Sequence, residues 1–256
     1  MSDLLLSRIG HVQVAEINRP PHNYFTKELM RLIAGALEEA DADPTVRVTL
    51  LCANGKSFCA GADFSGPQPE TPEERRADSR ALYNEGIRIF RAKKPIVAAV
   101  QGHAIGGGLG VALAADYRVA TPETSLSANF TRLGFHPGFG LTITLPELVG
   151  PTRASLLMLT GRRVKGEEAY RIGMCEAVVP AESLRDEAMK LAQEIAESSP
   201  LAVKSTRATL RAGLAERVEE RLKHELDEQS WLRETEDFAE GVRANAERRL
   251  ANFQAR

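Results

Sequence analysis

Cysteine is sparse in this sequence of 256 residues. Cys52, Cys59 and Cys175 are its three cysteines, an odd number with no CxxC pair. That fits free thiols in a reducing compartment better than a disulfide framework or a cysteine zinc site. An excess of either charge is also missing: 33 Lys plus Arg stand against 35 Asp plus Glu, a net −2. Neither nucleic acid nor a membrane is therefore expected as a partner. The first eight residues hold an early acid and three consecutive leucines, too short a run for a signal peptide and without the arginines of a transit peptide. A cytoplasmic location is expected. Pro95 to Ala115 lacks Asp, Glu, Lys and Arg and is long enough to suggest a membrane span. Its Gln101, His103 and five glycines point instead to a buried strand, a loop and a buried helix. No short-period repeat or low-complexity tract is visible.

What is present is the composition of a globular protein, 43% hydrophobic and 27% charged, with enough chain to bury a core. His11 to Ile17 alternates polar and apolar residues as a half-buried strand does. Thr26 is placed to cap a helix whose stripe runs through Leu29, Met30, Ile33 and Leu37. Val46 to Cys52 reads as a buried strand. Asn54-Gly55 turns the chain into a further short strand at Ser57 to Cys59. Residues 66–74 read as a surface loop, Pro72 opens a helix through Phe90, and Pro95 to Val100 is a buried strand. Leu109 to Ala115 reads as a short helix and Tyr117 to Ala120 as another strand. Three long helices are expected at Leu201–Leu214, Glu216–Phe238 and Ala239–Phe253. The acids from Glu219 to Glu228 read as a solvated helix face. The division is an α/β core over residues 1–198 and a helical region over 199–256.

Two glycine-bearing corners carry the chemistry. One is Ser57-Phe58-Cys59-Ala60-Gly61-Ala62-Asp63-Phe64, a strand running into a turn. The other is Val100 to Gly110, a buried strand that feeds a helix through Gly106-Gly107-Gly108. Glycine lets backbone approach a ligand closely, and a helix N-terminus offers unpaired N–H groups and a dipole that favours negative charge. Two such amides aimed at one point would form an oxyanion hole. The run is not a P-loop, since no Gly-Lys-Ser/Thr follows, and it lacks the dinucleotide spacing.

The ordered set Asn18-Arg-Pro20, Phe58-Cys-Ala-Gly-Ala-Asp63, Lys94 to Gly102, Gly106-Gly-Gly108 and Asp116 resembles the crotonase superfamily, also called the enoyl-CoA hydratase/isomerase family. Leu133-Gly134, Pro137-Gly138, Leu159-Thr-Gly161, Val178-Val-Pro180 and Glu240-Gly241 continue the resemblance over nearly the whole chain. It implies an α/β fold, a crotonase-like superhelix of strand–strand–helix units in two roughly perpendicular sheets with a C-terminal helical cap. It further implies a homotrimer or a pair of trimers, acting on an acyl-CoA thioester with no metal and no cofactor, coenzyme A being part of the substrate.

By the same resemblance, Ala62 N–H and Gly107 N–H would hold the thioester oxygen. His22, Tyr24, Ala60, Asp63, Phe64, Ser65 and Gly106 would line the coenzyme A and acyl path, with Gly110 and Phe130 at the acyl group. The resemblance also shows a departure. The two glutamates that hydratases of this family use to handle water correspond here to Gly110 and Phe130, and a third acidic position found in some relatives corresponds to Gly138. None of these can exchange a proton. His136, between Phe135 and Pro137, is then the candidate acid or base, because histidine titrates near neutrality; its alternative is a ring hydrogen-bonded to backbone. His103 and Cys59 are weaker candidates. The expected chemistry is enolate stabilisation leading to isomerisation, decarboxylation or hydrolysis, with ordinary hydration in question. The rival reading is a catalytically silent acyl-CoA-binding protein.

Overall fold

Strand β1 (Leu4–Ile9) pairs antiparallel with β2 (Val12–Ile17), and the register Leu4↔Ile17 to Ile9↔Val12 turns at Gly10. The sequence reading did not resolve β1, because Leu5, Leu6 and Ile9 are exposed and give no buried face to detect. The computed structural model describes residues 2–63 and 69–256. Thr26 caps α1 (Lys27–Ala42) as expected, its hydroxyl accepting from the Leu29 amide. Strand β3 (Val48–Ala53) is buried along its whole length, as its apolar run, interrupted only by Thr49, requires for a strand covered on both faces.

Helix α2 (Pro72–Phe90) begins one residue after Thr71, which forms a reciprocal capping box with Glu74. The helix thus takes the last residues of the loop expected over 66–74; residues 66–68 of that loop lie outside the described residues. Strands β4 (Ile96–Val100) and β5 (His103–Ile105) precede α3 (Gly107–Ala114). Strands β6 (Tyr117–Ala120) and β7 (Ser125–Ser127) follow. A 3-10 turn over Asn129–Leu133 leads to α4 (Leu141–Val149) and α5 (Pro151–Thr160). Then come β8 (Val164–Lys165), α6 (Gly166–Arg171), β9 (Ala177–Val178) and α7 (Leu184–Glu197).

The strands form two sheets. One has the order β1-β2-β3-β4-β6-β9, parallel throughout except for β1, and the other the order β5-β7-β8. Valines on one face of the large sheet, Val14, Val48, Val97 and Val119, pack on the alanine stripe Ala188, Ala192 and Ala196 of α7. The opposite face joins the main core with α1 and α3. Ser57 to Cys59 do not form a strand of either sheet. Cys59 instead makes an isolated bridge to Ala104, and this bridge connects the segment after β3 to β5.

The C-terminal helices are α8 (Pro200–Leu210), α9 (Leu214–Leu232) and α10 (Glu236–Ala246). The single helix expected over 216–238 is broken at Thr235, whose hydroxyl accepts from Phe238 N–H and starts a new helix. The helix expected to reach Phe253 stops at Ala246. Beyond it, Glu240 accepts from Arg249 and from the Asn252 amide, and Asp237 accepts from the amides of Gln254 and Ala255. The reading of residues 219–228 as a solvated acidic face needs one correction. Glu225 is fully buried, with one carboxylate oxygen accepting from Gly140 N–H at 2.9 Å and the other from the Thr142 hydroxyl at 2.5 Å. No described helix is long and apolar enough to cross a membrane.

Candidate active site

The two glycine corners meet. Past the turn at Asn54-Gly55 the chain runs beside the segment after β4. Phe58 N–H donates to Gln101 O at 2.9 Å, Cys59 N–H to His103 O at 3.0 Å, and Ile105 N–H to Cys59 O at 3.0 Å. This segment ends at Gly61, whose φ of +92° suits glycine and whose carbonyl accepts from Phe25 N–H at 2.9 Å. On the other side, Gly106 has φ +56° and ψ −122°, and it turns the chain from β5 into the first residue of α3.

Close packing explains why glycine fills this corner. A Cβ at Gly108 would lie 2.2 Å from the Cys59 carbonyl oxygen, and one at Gly107 would lie 3.0 Å from three atoms of the Phe25 ring. No side chain caps α3, so its first amides keep no partner within the helix. Among the described residues neither Ala62 N–H nor Gly107 N–H donates to a protein acceptor.

Ala62 and Gly107 border one cavity of about 70 Å³, with Phe25, Phe130, Phe139 and Arg233 among the other side chains in its wall. Tyr83, Gln229, Ser79, Leu82 and Phe135 complete its described lining, which contains no Asp, Glu or His. The space beside Gly110 is taken by Phe139, since a Cβ at 110 would come 2.6 Å from Cδ1 of that ring. Phe130 packs on Phe135 with ring centres 5.3 Å apart. At Gly138 a Cβ would meet the Tyr83 hydroxyl at 2.1 Å and Gln229 Nε2 at 2.4 Å. Aromatic rings thus pack against Gly110 and Phe130, and a tyrosine–glutamine pair fills the space at Gly138. Tyr83 O–H donates to Gln229 Oε1 at 2.7 Å, and burial raises the phenol well above its ordinary pKa.

His136 is not brought to this cavity. Its ring pairs through Nδ1 with Pro137 O at 2.7 Å and lies 5.9 Å from the His224 ring. It lines a neighbouring groove of about 540 Å³ with Thr131, Pro146 and Met158, and Phe135 stands between this groove and the first cavity. Only its backbone reaches toward the first site, its carbonyl accepting from Gln229 Nε2 at 2.8 Å.

The His22 and Tyr24 rings lie tilted to one another with centres 5.7 Å apart on the turn before Phe25, and Ala60 N–H donates to His22 O at 3.0 Å. That places them beside the first corner but outside the cavity wall. Asp63 is exposed next to Ala62; Phe64 and Ser65 lie outside the described residues. His103 is half-buried and held below its ordinary pKa, by burial first and then by Arg163 and Lys165. Burial pushes the Cys59 thiol up to about 12, which leaves it inert at neutral pH. Among the described residues no group of three or more His, Cys, Asp or Glu side chains is arranged to hold a metal.

The described geometry brings the two glycine corners, with Ala62 and Gly107, to one largely apolar cavity, on a chain whose model match runs from residue 8 to residue 256 as enoyl-CoA hydratase/isomerase. The chain belongs to the enoyl-CoA hydratase/isomerase family. It is an enzyme of that acyl-CoA-transforming family, with the crotonase fold. A crotonyl-CoA hydratase of Syntrophomonas wolfei is 35% identical over 254 residues, 98% of this chain and 97% of the relative. A short-chain-enoyl-CoA hydratase of Clostridium acetobutylicum is 32% identical over 255 residues, covering 97% and 96%. Among solved structures, an enoyl-CoA hydratase/isomerase from Pseudoalteromonas atlantica superposes with a TM-score of 0.87 at 31% identity, over 99% of this chain and 100% of that one.

Eight residues of this family member's described cavity lining were missed in the sequence: Phe25, Ser79, Leu82, Tyr83, Phe135, Phe139, Gln229 and Arg233. Phe25 and Tyr83 blend into apolar stripes of their neighbourhoods, and Gln229 and Arg233 stand in a polar helix. Gln229 is nonetheless 2% exposed. The one signal in the sequence was Gly138, where an absent side chain makes room for the Tyr83–Gln229 pair.

Proposed function

We propose that this enzyme stabilises the enolate of an acyl-CoA thioester with Ala62 N–H and Gly107 N–H, and that two-carboxylate hydration is not its reaction. The observation that carries the reading is that two residues whose amides lack protein acceptors border one cavity, and that its described lining has no Asp, Glu or His. The α-proton of a thioester leaves readily only if charge on the oxygen is stabilised, and one such donor is worth ~10²–10³ in rate. A hydratase must in addition hold water and pass protons at the β-carbon. Tyr83 is unsuited to that work because its raised pKa and its bond to Gln229 keep its proton in place.

Reactions that start from the enolate remain: isomerisation, decarboxylation, and hydrolysis of the thioester or a C–C bond. Decarboxylation needs the least. Breaking the bond to carbon dioxide leaves its electron pair on the thioester as the enolate, so no base has to remove a proton.

Two measurements test the reading. An acyl-CoA with a carboxylate on its α-carbon, turned over in D₂O, should lose carbon dioxide and give a product whose enolate has taken deuterium from solvent at the α-carbon, read by mass spectrometry. Binding without exchange or turnover across a broad panel would establish the silent acyl-CoA-binding protein instead. Crotonyl-CoA hydration, followed by loss of enoyl absorbance at saturation, should run far below the ordinary enzyme median of ~10 s⁻¹. A rate at that level would refute the exclusion of hydration.

A further inference from the structure

Arg233 follows the last residue of α9, and its side chain helps to wall the cavity that Ala62 and Gly107 border. The guanidinium carbon lies 5.6 Å from the centre of the Phe135 ring. Its Nε is shielded from solvent and has no hydrogen-bond partner among the described residues. The acids whose charge reaches it are committed elsewhere: Asp78 pairs with Lys27 at 3.0 Å and Glu234 with Arg75 at 2.7 Å. Burial lowers the Arg233 pKa from its usual value, but an arginine has so high a starting point that it stays charged.

Arg233 is half-buried, and two fully buried arginines of this protein show how such a charge is ordinarily met. Arg118 pairs with Glu176 at 2.9 Å and Arg207 with Asp116 at 2.9 Å. Arg233 has no acid in contact among the described residues. A partly desolvated cation without an anion is unfavourable, and the planar fork of a guanidinium matches a carboxylate better than any other common anionic group except phosphate.

We infer that Arg233 receives a carboxylate carried by the acyl group, so that the substrates are short acyl-CoA thioesters with a second, free carboxylate one or two carbons beyond the thioester carbonyl. The inference rests on the enolate reading of the same cavity. With the oxygen on the Ala62 and Gly107 amides, the acyl carbons lie against Phe25, Phe130 and Phe139, and the guanidinium is the cationic group of the wall. The Ser79 hydroxyl is a second donor in that wall. The cavity of about 70 Å³ is roughly the share of two water molecules in the liquid, which limits the chain beyond the carbonyl to a few atoms.

The experiment is isothermal titration of the whole protein with freshly prepared malonyl-CoA, succinyl-CoA, butyryl-CoA and free coenzyme A, each also with Arg233→Gln and Arg233→Lys. Where malonyl-CoA is turned over, kcat/KM by direct competition replaces its titration. The wild type should prefer one of the two carboxylated esters over butyryl-CoA by at least ~10-fold, the discrimination of one charge-assisted hydrogen bond. Arg233→Gln should erase that preference and leave butyryl-CoA within about threefold, which also shows that the variant is folded; Arg233→Lys should keep part of it. Equal binding of butyryl-CoA and both carboxylated esters by the wild type overturns the inference without any variant. A loss in Arg233→Gln that is as large for butyryl-CoA and free coenzyme A as for the carboxylated esters also overturns it, and assigns Arg233 to the phosphates of coenzyme A. Failure of every thioester to bind would bring down the enolate reading itself, a result distinct from binding without preference.

Discussion

Replacing Gly110 by alanine puts one methyl group into the space that Phe139 fills. In an unconstrained helix interior this change stabilises by about 1 kcal/mol. Here the added Cβ would lie 2.6 Å from Phe139 Cδ1, 3.0 Å from its Cβ and 3.2 Å from its Cγ, against the ~3.5–4.0 Å of a favourable carbon contact. The ring has nowhere to retreat. On its far side a Cβ at Gly86 would already lie 2.3 Å from Cε2, and the Phe25 and Phe90 rings stand at 5.0 and 5.9 Å. Overpacking of this kind costs ~1–3 kcal/mol, and the confinement argues for the upper end. Gly110→Ala should therefore destabilise by about 2 kcal/mol net.

Phe139→Ala alone should cost ~3–5 kcal/mol, since the ring is fully buried. In that background two of the three close contacts vanish, and Gly110→Ala should be neutral or slightly stabilising. The cycle predicts a coupling of about 2 kcal/mol, read by urea unfolding of the four proteins at one protomer concentration. Additivity within ~0.5 kcal/mol would refute the claim that Phe139 fills the space beside Gly110. For the same reason Gly110→Glu alone should not raise crotonyl-CoA hydration.

Two further outcomes follow from buried titratable groups. Burial pushes Glu225 from 4.5 up to about 7, so the folded chain keeps a proton that the unfolded chain has lost between those values. Stability should fall as pH rises from about 4.5 to about 7 and then level, by an order of 3 kcal/mol. Glu225→Gln should remove that slope from thermal melts, and an unchanged slope would show that another group is responsible. Burial also holds the thiols of Cys52 and Cys59 at about 12 and Cys175 at about 11. Native protein at pH 8 should resist iodoacetamide, its thiolates being ~10⁻³ or less of the total. Rapid alkylation before unfolding would contradict that burial.

The sequence by itself determined the family, the helices and the long buried strands of the first half and the two glycine corners, but not β5, and it took Ser57 to Cys59 for a strand. Those features are local: alternation along β2, the Thr26 cap and the glycine spacing are legible in a few consecutive residues. The strand β1 escaped because its side chains are mostly exposed, and the long C-terminal helices were misjudged because Thr235 breaks them through its cap rather than through glycine or proline. The resemblance also identified Gly110, Phe130 and Gly138 as positions without acids. Only the tertiary structure decided what fills them. Phe139, Tyr83 and Gln229 are 29, 55 and 91 residues from the glycines whose space they take, and helix packing, not chain order, brings them there. It likewise separated His136 from the cavity and turned Glu225 inward from an acidic run. Which face of a helix meets the core depends on what packs across from it, and that information is spread over the whole chain.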